Sequence, residues 1–131
     1  MVNINELVLD INIVIVILNQ QSNVVQNLQS VETFYLPITV VGELLFGAKN
    51  SSKSNENIPK VWALINRCEI INSNLLIAEE YATIRKELKN KGKPIPENDI
   101  WIAAACRTNH LPLATRDKHF QNIERLKLMN L

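Results

Sequence analysis

Four carboxylates stand in segments that are otherwise apolar: Asp10 in LVLDINIVIVIL, Glu43 in TVVGELLFGA, Asp99 in NDIWIAAA and Asp117 directly after LPLATR. A buried carboxylate is costly unless it is paired or holds a metal ion. Two of them about 4 Å apart repel by about 4 kcal/mol at an effective dielectric of about 20. Four such groups, far apart in the chain, point to one acidic site assembled by folding, with a divalent cation as the direct relief of its repulsion.

The four carry unequal weight. Asp10 has the strongest physical case, because Asn12 can cap the next helix and leaves Asp10 without a structural duty. Glu43 reads evenly as a favourable charge near the positive end of a helix or as a site group, with Gly42 beside it allowing close approach. Asp99 and Asp117 are each good helix caps, although Asn98 can replace Asp99 in that duty. Their joint placement is what counts. His110 and His119 have no nucleophile motif near them and read as surface or structural histidines. Gly42, Gly47 and Gly92 form no phosphate-binding loop. The basic run Arg85, Lys86, Lys89, Lys91 and Lys93 reads equally as a solvated helix face or as a set of phosphate contacts.

The elements that must position these groups alternate. Strands are expected over Glu6–Ile11, Thr33–Leu36, Glu69–Asn72, Pro112–Thr115 and Leu126–Met129. Between them lie a helix after an Asn12 cap, a polar amphipathic helix over Ser22–Ser30, and a helix from a Thr39 cap through Ala48. Lys49–Asn57 reads as a surface loop, and Pro59 as the first turn of a helix to Arg67. A long helix over Leu75–Lys91 stops at Gly92 and Pro94, and another runs from an Asn98 or Asp99 cap to Thr108, before a helical turn over Lys118–Asn122. Strands separated by helices predict a parallel α/β sheet in one domain spanning residues 1–131. Such sheets bind ligands beyond the carboxyl ends of their strands, where Asp10 and Asp117 fall.

Composition narrows the class. A length of 131 residues suits one domain that buries about two thirds of its unfolded surface. With 47% hydrophobic and 21% charged residues the chain is globular, not disordered. A net charge of +1 excludes a grossly basic nucleic-acid binder but leaves room for a local basic patch. At 5% aromatic content, a base-stacking platform is disfavoured. Cys68 and Cys106 lie in apolar surroundings and read as reduced core residues. The run from Leu7 to Leu18 is interrupted by Asp10 and Asn12 and falls short of the roughly 20 residues of a membrane span. It also lacks the flanks of a signal peptide, so the expectation is a cytoplasmic protein with no membrane contact.

The order and context of the carboxylates resemble the PIN-domain ribonucleases, specifically the VapC toxins of bacterial toxin–antitoxin pairs. Asp10-Ile11-Asn12 is similar to the family's Asp-Thr-Asn at the end of the first strand, with Ile11 where the pattern has a hydroxyl residue. Glu43 matches a helix with a lone Glu, and Arg85, Leu88, Gly92, Ile95, Asp99, Ile102, Ala103 and Ala104 match the specific RxxLxxxGxxIxxxDxxIAA pattern. Thr115-Arg116-Asp117, followed by Phe120, resembles the strand ending in Thr-x-Asp. The resemblance runs from Leu7 to the C-terminus.

It implies a PIN-like three-layer α/β/α sandwich with a parallel sheet of four or five strands. The implied reaction is divalent-metal-dependent hydrolysis of RNA phosphodiester bonds by a metal-activated water, leaving 5′-phosphate and 3′-hydroxyl ends. Carboxylate oxygens suit Mg²⁺ or Mn²⁺. By resemblance, Asp10, Asp99 and Asp117 would be ligands, Glu43 a ligand or general base, and Asn12 and Thr115 would orient them. Arg85, Arg116 and Lys118 are weaker candidates for phosphate contacts. A homodimer and a small VapB-like antitoxin covering the acidic groove are also implied. The alternative is a weakly active or inactive PIN domain that binds RNA or antitoxin. A phosphate-accepting receiver domain fits poorly, since EIINS at positions 69–73 has no acceptor Asp, and a haloacid-dehalogenase Asp-x-Asp is broken by Asn12.

Overall fold

A computed structural model describes residues 4–129 and 131. Five strands form one sheet: β1 (Glu6–Leu9), β2 (Thr33–Pro37), β3 (Glu69–Ile71), β4 (Leu113–Ala114) and β5 (Leu128–Met129). Their order is β3-β2-β1-β4-β5, and every pairing is parallel. Successive side chains of a strand point to opposite faces. Leu7, Val8 and Leu9 of the central strand are all fully buried, so both faces of the sheet are covered. This is the expected α/β architecture.

The helices are α1 (Ile11–Leu18), α2 (Ser22–Asn27), α3 (Ile38–Lys49), α4 (Ser54–Ile65), α5 (Leu75–Lys91) and α6 (Glu97–Asn109). A single 3₁₀ turn, Lys118–Asn122, separates β4 from β5. Among the described residues no helix is long and apolar enough to cross a membrane. Cys68 and Cys106 are both free thiols, the second fully buried.

Several helix starts differ from expectation, each for a local reason. Asp10, not Asn12, caps α1: its backbone is extended, Oδ1 accepts the N–H of Ile11, and no turn intervenes before the helix. Pro37, not Thr39, holds the cap position of α3, which leaves Thr39 inside the first turn with a buried, unpartnered hydroxyl. Pro96 precedes α6, so Asp99 sits in its first turn without a capping duty. The loop expected over Lys49–Asn57 shrinks to residues 50–53: α4 begins at Ser54 and runs to Ile65, placing Pro59 in its second turn. The polar SNEN segment there faces water as helix, and Ser51 Oγ receives Asn57 Nδ2 at 2.9 Å. Low hydrophobicity reported exposure, not irregularity.

The α5–α6 pair is locked by a cation that the sequence did not flag. Arg107 on α6 is buried and donates to Glu80 and Glu87 of α5 at 3.1 Å each, and to the Glu124 carbonyl at 3.3 Å. Arg125 also reaches Glu87, at 3.2 Å, but is mostly exposed. Removing a buried partner leaves uncompensated charge, whereas an exposed pair contributes little. Arg107→Ala is expected to destabilise by about 3 kcal/mol and Arg125→Ala by less than about 1 kcal/mol, both measured by urea unfolding.

Candidate metal centre

The β1–β4 register builds the site. Val8 pairs with Leu113 and Leu9 with Ala114, so the next residues, Asp10 and Thr115, leave the sheet side by side. The Asp10 N–H continues the ladder to the Ala114 carbonyl at 3.0 Å. From β1 the chain moves outward through β2 to β3, then returns to place β4 on the other side of β1. The carboxyl end between β1 and β4 is therefore the switch point where such sheets hold ligands. α1 and α3 begin at this edge because they follow parallel strands. α6 begins there because it runs back to feed β4. Asp10 caps α1 and Asp99 lies in the first turn of α6, where positive dipole ends favour a carboxylate, while Glu43 lies in the second turn of α3.

Asp10 is 3% exposed, and each of its oxygens is occupied. Oδ1 accepts the Ile11 N–H at 2.8 Å, and Oδ2 accepts Thr115 Oγ1 at 2.7 Å and Asn12 Nδ2 at 3.1 Å. Thr115 also accepts the Asp117 N–H at 2.9 Å, while Asn12 Oδ1 accepts the Arg116 N–H at 3.1 Å. Asn12 and Thr115 thus clip the exit of β4 onto the start of α1. The hydroxyl missing at Ile11 leaves Asp10 with three donors, enough to fix its orientation. Burial pushes the Asp10 carboxyl up, hydrogen bonds from Thr115 and Ile11 oppose that, and the Asp117 charge adds to the rise.

Asp117 caps the 3₁₀ turn, its Oδ1 accepting the His119 N–H at 2.9 Å. The same oxygen lies 2.9 Å from His119 Nδ1, which is 3.6 Å from Asp99 Oδ2. One ligand atom from each of Asp99, Asp117 and His119 falls within 4.8 Å of the others. Asp99 Oδ2 is buried and has no hydrogen-bond partner. Its carboxyl is pushed up to about 6, first by burial and then by the charges of Asp117 and Asp10. Glu43 is raised as well, by burial and by Asp10, with an opposing hydrogen bond from Asn98. The charges of Asp117, Asp10 and Glu43 all act on Asp99, so the four carboxylates share one site, and the orphaned buried oxygen of Asp99 is one that a cation would partner. The set of oxygens with one imidazole fits a divalent metal ion.

Glu43 also lines a groove of about 370 Å³ together with Ile11, Ile15, Leu44 and Val61. The basic candidates are engaged elsewhere or free. Arg85 bonds Tyr81 at 2.8 Å and Glu97 at 3.4 Å, and Arg116 aims its guanidinium at the Leu131 carbonyl. Lys118 is exposed at the start of the 3₁₀ turn. His110 ends α6 in a left-handed conformation and takes no part in the acidic cluster. His119 is the residue that sequence reasoning missed. The Asp-x-His spacing across an Asp-capped turn was the available signal, because such a cap folds residue i+2 back beside the carboxylate.

With this geometry in place, comparison with known proteins is decisive. The PIN domain model matches residues 7–126. This chain belongs to the PIN-domain family. It is 31% identical over 127 residues to ribonuclease VapC2 of Rickettsia felis, covering 93% of this chain and 95% of that one. The crystal structure of Rickettsia felis VapBC2 bound to a promoter DNA fragment superimposes with a TM-score of 0.88 at 29% identity, over 95% of this chain and 98% of the matched chain. VapBC-1 from nontypeable Haemophilus influenzae gives 0.84 at 26% identity, over 95% and 97%.

The PIN site carries a pH signature of its own. A carboxyl raised from 3.8 to about 6 on folding lowers stability wherever it is ionised in the folded state. The penalty is absent below about pH 4, grows between about pH 4 and 6, and is full above that. Asp99→Asn is therefore expected to stabilise the metal-free protein at pH 7 by about 3 kcal/mol, and to change nothing near pH 4. Thermal melts of both proteins across that range check it.

Proposed function

We propose that this PIN domain is a divalent-metal-dependent endoribonuclease, the toxin component of a VapBC-type toxin–antitoxin pair, hydrolysing RNA phosphodiester bonds. The observation that carries the reading is the convergence of Asp10, Glu43, Asp99 and Asp117 at the switch point of the sheet, with Asp99 Oδ2 left unpartnered. The similar ribonuclease VapC2 and the VapBC complexes agree with it.

Asp99 and Asp117 would hold Mg²⁺ or Mn²⁺ together with Asp10, and Glu43 would be a further ligand or the base for the attacking water. When bound, the ion lowers the pKa of a water and neutralises charge on the leaving oxygen. Glu43 suits a base because its raised carboxyl favours accepting a proton. Thr115 and Asn12 act on Asp10, holding its oxygens in one orientation, and Thr115 ties the Asp117 backbone to the same frame. Arg116 and Lys118, beside Asp117 in the chain, are the candidates to meet substrate phosphates, with Arg85 further along the α5 face.

The partner reading rests on the groove. Its lining combines the apolar Ile11, Ile15, Leu18, Leu44 and Val61 with Glu43 and Lys60. An antitoxin segment with an apolar side and a basic residue would lie along it and set its cation against the carboxylates. A homodimer is the expected assembly.

The test is cleavage of structured RNAs by the native protein and by Asp99→Asn, with Mg²⁺ or Mn²⁺ and with a chelator. Native protein with metal should cut, leaving 5′-phosphate ends. Partners of metal ligands cost about 10–100-fold when lost, so loss of a ligand should lower the rate by at least about 100-fold. Cleavage that persists in Asp99→Asn or in chelator refutes the assignment. No cutting by a native protein that still captures an antitoxin favours the binding-module alternative.

A further inference from the structure

We propose that His119 is a nitrogen ligand of the metal ion held by Asp99 and Asp117, so that this site prefers the nitrogen-accepting ions Mn²⁺ and Co²⁺ to Mg²⁺. The inference rests on the reading of the site as a divalent-metal centre and adds a donor of a different kind to it.

Both spacings from the imidazole are those of one coordination sphere. Ligands about 2.1 Å from an ion sit about 3 Å apart at right angles and about 4.2 Å apart when opposed. Nδ1 of His119 is 2.9 Å from Asp117 Oδ1 and 3.6 Å from Asp99 Oδ2, and the three ligand atoms lie within 4.8 Å of one another. Asp10 is not in this group, although its Oδ1, with Ile11 N–H as one donor, keeps a lone pair for an ion. His119 therefore stands closer to the Asp99–Asp117 pair than the carboxylate with the strongest claim from sequence.

The ring is held there by the backbone. His119 N–H donates to Asp117 Oδ1 within the 3₁₀ turn, and the next residue, Phe120, is fully buried and pins that turn to the core. With the ring proton on Nε2, the Nδ1 lone pair faces both carboxylates. The competing reading is a plain Nδ1–H hydrogen bond to Asp117, which leaves the buried Asp99 Oδ2 unpartnered. Mg²⁺ demands a regular shell of oxygens, whereas imidazole suits first-row transition ions. A histidine in the sphere thus biases the choice of ion.

Pulsed EPR of the Mn²⁺-loaded native protein reads the ligand directly through ¹⁴N coupling. Calorimetric titrations of the native protein and His119→Ala with Mn²⁺, Co²⁺ and Mg²⁺ read its effect, with thermal melts confirming that the variant folds. The expected result is a ¹⁴N coupling in the native protein. His119→Ala should bind Mn²⁺ and Co²⁺ at least about tenfold more weakly, with Mg²⁺ affinity within about twofold. Mn²⁺ binding that depends on Asp99 but shows no ¹⁴N coupling overturns the role of His119 and leaves the metal centre standing. No Mn²⁺ binding at millimolar concentration overturns both.

Discussion

The hydroxyl of Thr115 links the Asp10 carboxylate to the backbone of Asp117. It donates to Asp10 Oδ2 at 2.7 Å and accepts the Asp117 N–H at 2.9 Å. This contact exists because Leu9 pairs with Ala114, which makes the residues after them neighbours at the carboxyl edge. A slip of one residue between β1 and β4 would turn Asp10 toward the opposite face and dismantle the cluster. Once Asp10 is fixed, α1 starts at Ile11, Asn12 meets the Arg116 backbone, and the 3₁₀ turn presents Asp117 and His119 to Asp99.

The cluster is a source of instability that the rest of the fold must offset. Asp10, Glu43 and Asp99 are all raised, each mainly by burial and in part by a neighbouring carboxylate: Asp117 for Asp10, Asp10 for Glu43, and Asp117, Asp10 and Glu43 for Asp99. The aliphatic core that surrounds β1 and the Arg107 network between α5 and α6 supply the compensation. Functional sites commonly hold such local cost, because groups tuned for chemistry are rarely those best for stability. A bound cation would convert the same repulsion into attraction.

The sheet and the four carboxylates were legible in the sequence because they depend on strong local signals. Short apolar runs bounded by turn residues marked the strands, and Gly92 in a left-handed conformation ends α5 at Lys91 as expected. Helix starts were less legible, because caps compete: Asp10 and Pro37 each took a position that another residue could fill. The α4 start was misread because polarity alone does not separate an exposed helix from a loop. Arg107 and His119 were invisible for a different reason. Their roles depend on partners from other elements, such as Glu80 and Asp99, which no spacing along the chain reveals.

The central claim is that this acidic cluster is a cation site, and the dependence of stability on metal tests it most directly. Unfolding free energy measured at pH 7 with Mn²⁺ at about 100 times its dissociation constant should rise by about 2.7 kcal/mol. The gain should be reversed by chelator and shrink as the pH falls below about 6, where Asp99 takes up its proton. An unfolding free energy indifferent to millimolar Mn²⁺ and Mg²⁺ at pH 7 would contradict the account.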